Sequence, residues 1–230
     1  MALKLREAQR AMMSVSENPD DTASAIRAIA AMSGQSQQRC FKRFRRTERG
    51  RRLLEQRPEL FDRMNDLDYL LGLPEDTLGH AIGTFYATEE ISAQGLKDAS
   101  EAAGGRQATN TDFDWFARRS RDLHDVFHVL TGYGRDIRGE GAVLAFTAAQ
   151  TWHTGIGYLA FRLLRGSGWN SEQGKLIRQA FRRGLSSDWL VDQDWETLLE
   201  QPLVSLRERL GVGPAPVYEQ LRSAGAPVLN

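Results

Sequence analysis

The stretch RDLHDVFHVLTGYGRDIRGE, residues 121–140, carries His124, Asp125, His128 and Glu140, side chains of metal-binding type at a spacing that could bring them together. It holds two of the four histidines in the chain. On a helix of about 3.6 residues per turn, positions i and i+4 lie roughly 40° apart in azimuth, and i+1 lies about 60° beyond i+4. His124, His128 and Asp125 then share about 100° of arc, with the imidazoles one turn apart. A divalent ion accepts such nitrogens and a carboxylate oxygen at about 2.0–2.2 Å. Gly132 and Gly134 interrupt the helix, so the chain can reverse and return Glu140 as a fourth arm. Val126, Phe127, Val129 and Leu130 surround the histidines, which argues for an inward face. Buried imidazoles and carboxylates need partners, and one cation serves them all. Two carboxylates and two neutral imidazoles also cancel a double positive charge. The competing reading is a plain helix whose histidines are satisfied by neighbours, since an i, i+4 pair alone is weak evidence.

The elements that must hold these residues read as helices. Alternating Val, Ile and Thr runs are nearly absent, while Ala, Leu, Arg and Glu recur at three- and four-residue spacing. The segment DDTASAIRAIAAMSG closes on Gly34. TERGRRLLEQR ends before Pro58, and PELFDRMNDLDYLLG is expected as one helix ending at Gly72. LPEDTLGHAIGTFYATEEIS is expected to start with Pro74, Glu75 and Asp76 in its first turn. TNTDFDWFARRSRDLHDVFHVLTGYG offers Thr109 and Thr111 as caps and stops at Gly132. The most apolar stretch has no charge between Glu140 and Arg162. It is long enough to span a bilayer, but Gln150, His153, threonines and glycines dilute it, so it is expected as a buried central helix. NSEQGKLIRQAFRRGLSSDWL and DWETLLEQPLVSLRERLGV complete an all-α fold, read as a single multi-helix domain over 1–230.

Bulk properties narrow the function. Thirty basic and thirty acidic residues give a formal net charge of +0, so no overall field recruits nucleic acid. The single cysteine, Cys40, rules out an intramolecular disulfide and a multi-thiolate zinc site, and no role is assigned to it. The N-terminus lacks a secretory pattern and carries Glu7, which leads to the expectation of a bacterial cytoplasmic protein or one already stripped of its leader.

HDVFH followed by eleven residues and Glu140 resembles the H-D-x-x-H-x11-E signature of the Coq4 family of ubiquinone biosynthesis proteins. LPEDTLGHAIGTFY is similar to the LP-x-x-T-hydrophobic-G-H-A segment of that family. GRRLLEQRPEL resembles its G-R-x-L-L-x-x-R-P stretch, and DWETLLEQPLVSLRERLGV its closing block. The matches run in family order from about residue 45 to 213; the more basic segment QSQQRCFKRFRRTE departs from the pattern. The resemblance implies a helical protein that binds a divalent metal, taken as Zn2+, through His124, Asp125, His128 and Glu140. It further implies peripheral association with a membrane, here the bacterial inner membrane, and a polyprenylated quinone precursor as ligand. The implied roles are oxidative decarboxylation at C1 of a prenylated hydroxybenzoate ring and organisation of the other ubiquinone biosynthesis enzymes. Self-association as a homodimer stays open.

A prenyl tail needs an apolar channel, and Phe146, Trp152 and Ile156 are the lining candidates, with Val143, Leu144, Tyr158 and Phe161 beside them; plain core is the alternative for each. His80, on an otherwise apolar helix, is either a structural residue or a group standing behind the metal ligands. His153 reads as core. The run FKRFRRTERGRR, around 41–52, either meets anionic lipid or forms a solvated face. Two other functions compete. HDVFH is one methylene from the H-E-x-x-H of zinc hydrolases, where the acid is a general base and not a ligand. A non-catalytic scaffold that binds prenyl lipid and uses its metal as a staple is the third reading.

Overall fold

The computed structural model describes residues 3–18, 20–104, 109–224 and 227. The chain starts with α1 (Leu5–Glu17), α2 (Thr22–Ala31), α3 (Ser36–Phe44), α4 (Glu48–Gln56), α5 (Leu60–Met64), α6 (Leu67–Gly72) and α7 (Leu78–Glu89). It continues with α8 (Ala93–Ala102), α9 (Asp112–Thr131), α10 (Ile137–Thr151), α11 (Thr154–Ser167) and α12 (Glu172–Ser186). A 3-10 turn at Leu190–Asp192, α13 (Trp195–Leu198) and α14 (Leu203–Arg209) follow. No strand occurs among the described residues, and the helices make one domain, as the residue periodicity predicts.

Helix α10 is the hub, packed against α9, α11 and α12. The main apolar cluster joins Phe127 and Leu130 of α9, Phe146 of α10, Ile177 of α12, Tyr86 of α7 and Trp195. Burying a side chain such as Phe127 or Leu130 contributes about 1.5–3 kcal/mol. A second cluster sets Phe44, Leu53, Trp115 and Phe116 together. A third, smaller one lies under the α1–α2 hairpin and contains Ala11, Met12, Ala28 and Leu159.

Local chemistry corrects three expected boundaries. The segment 58–72 is two helices, because the Asp66 side chain accepts from the Tyr69 N–H and caps a new start. The next helix begins at Leu78 rather than Pro74, because Thr77 is the residue whose hydroxyl accepts from the His80 N–H. The apolar stretch after Glu140 is not one helix. Trp152 adopts a left-handed conformation at φ 53°, and His153 Nδ1 accepts from the Ile156 N–H to begin α11. No helix among the described residues is long and apolar enough to cross a membrane.

The α1–α2 hairpin is moored to this hub at a backbone approach. A Cβ added at Gly155 would lie 2.0 Å from the Ile29 carbonyl oxygen, so α11 and α2 meet there only because residue 155 is glycine. Thr154 Oγ1 donates to the Met32 and Ser33 carbonyls at 2.7 and 2.9 Å beside it. Gly155→Ala is therefore expected to cost about 1–3 kcal/mol, the usual penalty for overpacking. Thermal unfolding should show Tm lowered by several degrees; an unchanged Tm would contradict this close contact.

Candidate metal centre

The 20-residue helix α9 starts at a capping box between Thr111 and Asp114, so the register of His124 and His128 is set well upstream. It ends where Gly132 takes φ 77° and returns its N–H to the His128 carbonyl at 2.9 Å. The last carbonyls, which lack intrahelical donors, are met by arginines: Arg207 donates to Leu130 and Val129, and Arg183 to Thr131. Asp136 then accepts from the Arg138 and Gly139 N–H groups and starts α10, with Glu140 in its first turn. The reversal brings Glu140 opposite the imidazoles.

His124 Nε2 and His128 Nε2 stand 3.2 Å apart, and they lie 3.5 Å from Glu140 Oε2 and Oε1, respectively. Donors held about 2.0–2.1 Å from a tetrahedral ion are about 3.3–3.4 Å from one another. The imidazole pair matches such an edge and one Glu140 oxygen faces each ring, so the three side chains converge closely enough to share a small divalent cation. His128 donates through Nδ1 to the Tyr133 carbonyl at 2.9 Å, which leaves its Nε2 lone pair free for an ion. The Phe85 ring stacks on His128 at 5.5 Å and 23° and shields it.

Asp125 does not join the three. It is buried, and its Oδ2 accepts from the Tyr86 hydroxyl at 2.9 Å; the group whose donor atoms converge consists of His124, His128 and Glu140. Burial pushes the Asp125 carboxyl up, against the opposing pull of both histidines and the Tyr86 hydrogen bond. For His128 burial disfavours the charged ring, but the Glu140 carboxylate, the Tyr133 carbonyl and Asp125 outweigh it and push the imidazole up to about 9. Glu140 is held well below the usual carboxylate range: burial opposes this, and the charge and hydrogen bonds of His128 and His124 overcome it. Protons and cations thus compete for the same cradle.

The cradle opens on a cavity of about 2170 Å³, beyond the usual 300–1,000 Å³ of small-ligand pockets. Its walls come from the α1–α2 hairpin and from α8 to α11, with Ile29, Leu144, Ile156, Leu159 and Leu163 supplying apolar surface. Among the expected lining residues, Ile156 and Leu144 face this cavity. Phe146 lies in the main core against Phe127, beside Val143. Trp152 is 63 % exposed, edge-on to Phe181, and Phe161 is exposed as well. Tyr158 packs on the small hairpin cluster.

His80 bonds the Leu73 carbonyl through Nδ1 at 3.0 Å, near the start of α7. Tyr86, which reaches Asp125, is six residues on, about 9 Å along the axis. His153 caps α11, and burial together with Arg39 pushes it down to about 4. The Cys40 thiol is buried and pushed up to about 12, despite Arg43. The basic residues of 41–52 stay exposed, with Arg49 and Arg52 lying 3.5 and 4.0 Å from Asp192 and Asp194 and Arg43 over the Trp189 ring. Phe85, Tyr86, the Tyr133 carbonyl and the two capping arginines had no signature in the sequence. Helix α2 was legible as helix, but its pairing with α1 as a cavity wall was not.

A family model described as "Coenzyme Q (ubiquinone) biosynthesis protein Coq4" matches residues 2–216, so the likeness extends through the N-terminal region and not only 45–213. The mitochondrial ubiquinone biosynthesis protein COQ4 of Meyerozyma guilliermondii is 32% identical over 176 residues, 75% of this chain and 54% of that protein. The Neurospora crassa protein of the same description is 30% identical over 177 residues, 75% of this chain and 49% of its own length. The chain thus spans about half the length of these relatives. A crystal structure of a protein from Nostoc punctiforme, ascribed to ubiquinone biosynthesis, shares the fold at TM-score 0.65 and 22% identity, covering 93% of this chain and 100% of that one. The expected location, cytoplasmic at a bacterial inner membrane, is overturned by the curated relatives, which are named as mitochondrial proteins of fungi. With a family match over nearly its whole length, the chain belongs to the Coq4 family of coenzyme Q (ubiquinone) biosynthesis proteins.

Proposed function

We propose that this protein acts in ubiquinone biosynthesis on a polyprenylated hydroxybenzoate-type precursor. A divalent cation, Zn2+ being the expected ion, is held by His124, His128 and Glu140, and the reaction is oxidative decarboxylation at ring carbon C1. The observation that carries the reading is the convergence of His124, His128 and Glu140 at the wall of a large, mainly apolar cavity. The ring sits at the cradle and the prenyl tail runs along Leu144, Ile156 and Leu163. A bound cation supplies Lewis acidity toward a carboxylate or hydroxyl oxygen of the substrate. The bond from C1 to the carboxyl carbon breaks, releasing carbon dioxide, and a bond from C1 to hydroxyl forms. Water supplies the hydroxyl oxygen, and the two electrons and two protons released go to an external oxidant, since zinc has no redox chemistry: dioxygen, which leaves as hydrogen peroxide, an iron or another partner.

The residues of the chain supply the setting. Tyr133 fixes the His128 tautomer, Phe85 covers one face of its ring, and Asp125, anchored by Tyr86, stands buried one residue from His124. Three protein ligands are the number used by catalytic zinc sites, whereas a structural staple uses four. That count favours chemistry over a purely scaffolding role. The hydrolase alternative needs Asp125 as a general base, and its burial and bond to Tyr86 argue against that role.

His128→Ala is expected to lower Zn2+ affinity at least tenfold and to abolish support of ubiquinone synthesis in cells that depend on the protein. Metal analysis of purified protein and quinone extraction measure both; full metal content in the variant would sink the reading.

The charges give a pH signature in the metal-free protein. The raised His128 contributes stability that is present below about pH 6.5 and lost as pH climbs through about 9. The depressed Glu140 contributes stability present above about pH 4.5 and lost as pH falls toward its folded value. Tm with chelator should therefore be highest between these limits. Added Zn2+ should raise it most on the alkaline side, where the imidazole has lost its proton. A Zn2+ effect that does not grow with pH would contradict the assignment.

A further inference from the structure

Helices α9 and α10 do not shape the bend between them unaided. The chain after α14 returns across it in extended form, and its contacts fall on the bend itself. The Tyr218 hydroxyl donates to Asp136 Oδ2 at 2.6 Å and accepts from the Gly134 N–H at 2.8 Å. The Leu221 N–H donates to Asp136 Oδ1 at 3.0 Å, and the Ile137 N–H donates to the Leu221 carbonyl at 2.9 Å. Arg138 reaches the Glu219 carbonyl at 2.9 Å. The fit is tight: a Cβ at Gly132 would lie 2.4 Å from the Ala215 Cβ, and one at Gly139 would lie 2.6 Å from the Tyr218 hydroxyl. Residues 132–139 thus form a bend that no larger side chain at these two places could share with the returning chain.

The same segment reaches the other walls of the site. Arg222 pairs with both carboxylate oxygens of Glu89, at 2.8 and 2.7 Å, at the end of α7, the helix whose Tyr86 holds Asp125. Ser223 donates to Asp20 Oδ1 at 2.7 Å, ahead of α2 and at the cavity wall.

We propose that residues 213–223 are a positioning clamp for the cation site, with Tyr218 as its principal side chain. The inference rests on the metal reading above and adds a determinant of affinity from outside the ligand set. Tyr218 also lies two residues beyond the last residue matched by the family model. The bend contributes the Tyr133 carbonyl that orients His128, and its Asp136 starts the helix that carries Glu140. Removing the Tyr218 hydroxyl leaves the Gly134 N–H and one Asp136 oxygen without this partner, so both arms lose their reference while every ligand remains. Outer partners of metal ligands typically matter by about 10–100-fold in affinity.

The test is titration of the metal-free full chain with Co2+, reading both the dissociation constant and the visible absorption of the bound ion. Tyr218→Phe keeps the ring, and it is expected to weaken Co2+ binding about tenfold or more and to alter the band, with helical content retained. Leu53→Val, in the separate cluster around Phe44 and Trp115, is the control for loss of stability alone and should leave affinity and band unchanged. Parent-like Co2+ affinity in Tyr218→Phe overturns the clamp and leaves the metal site standing. An equal loss in Leu53→Val also overturns it, because general destabilisation would then explain the effect. A parent chain that binds no Co2+ overturns the metal reading and the clamp together.

Discussion

The structure depends on bringing one carboxylate from α10 against two imidazole nitrogens of α9 across a short bend. Such convergence is unfavourable for bare lone pairs and becomes favourable when a proton or cation lies among them. The protein accepts that local cost because the surroundings fix the backbone: a left-handed glycine, arginines on the last carbonyls of α9, and an aspartate capping α10. Burial of Phe127 and Leu130 on the same helix locks its rotation. The histidines cannot turn away without exposing the core.

The convergence of His124, His128 and Glu140 was legible in the sequence because a helix converts i, i+4 spacing into proximity. His124 and His128 follow from that rule, and Glu140 follows from an acid placed just after a glycine-marked reversal. Asp125 shows its limit. Azimuth alone puts Asp125 near both imidazoles, but it carries no information about Tyr86, which arrives from a helix 39 positions away and takes the carboxylate. Long-range hydrogen bonds of this sort have no local signature.

The fold class was equally readable, and the misplaced boundaries share one cause. Asp66 and Thr77 are ordinary polar residues until their side chains accept backbone N–H groups, and apolar periodicity runs past them. Trp152 is harder still: a bulky residue in the left-handed region is uncommon, and nothing near it announces a stop. The lining candidates suffered from that break. Once α10 ends at Thr151, Phe146 belongs to the core and Trp152 to the surface, while Ile156 on the next helix meets the cavity.

The hairpin of α1 and α2 has a core built largely of small side chains, Ala11 and Ala28 with Met12 and Leu159, whereas the rest of the molecule buries Phe, Trp and Leu. At roughly 25 cal/mol per Å² of apolar surface, the hairpin holds only a minor part of the total burial energy. Units with little apolar burial open locally at lower free energy than the whole fold, which makes the hairpin the cavity wall expected to open first. Such opening would widen the mouth of the cavity while leaving His124, His128 and Glu140 in place on α9 and α10.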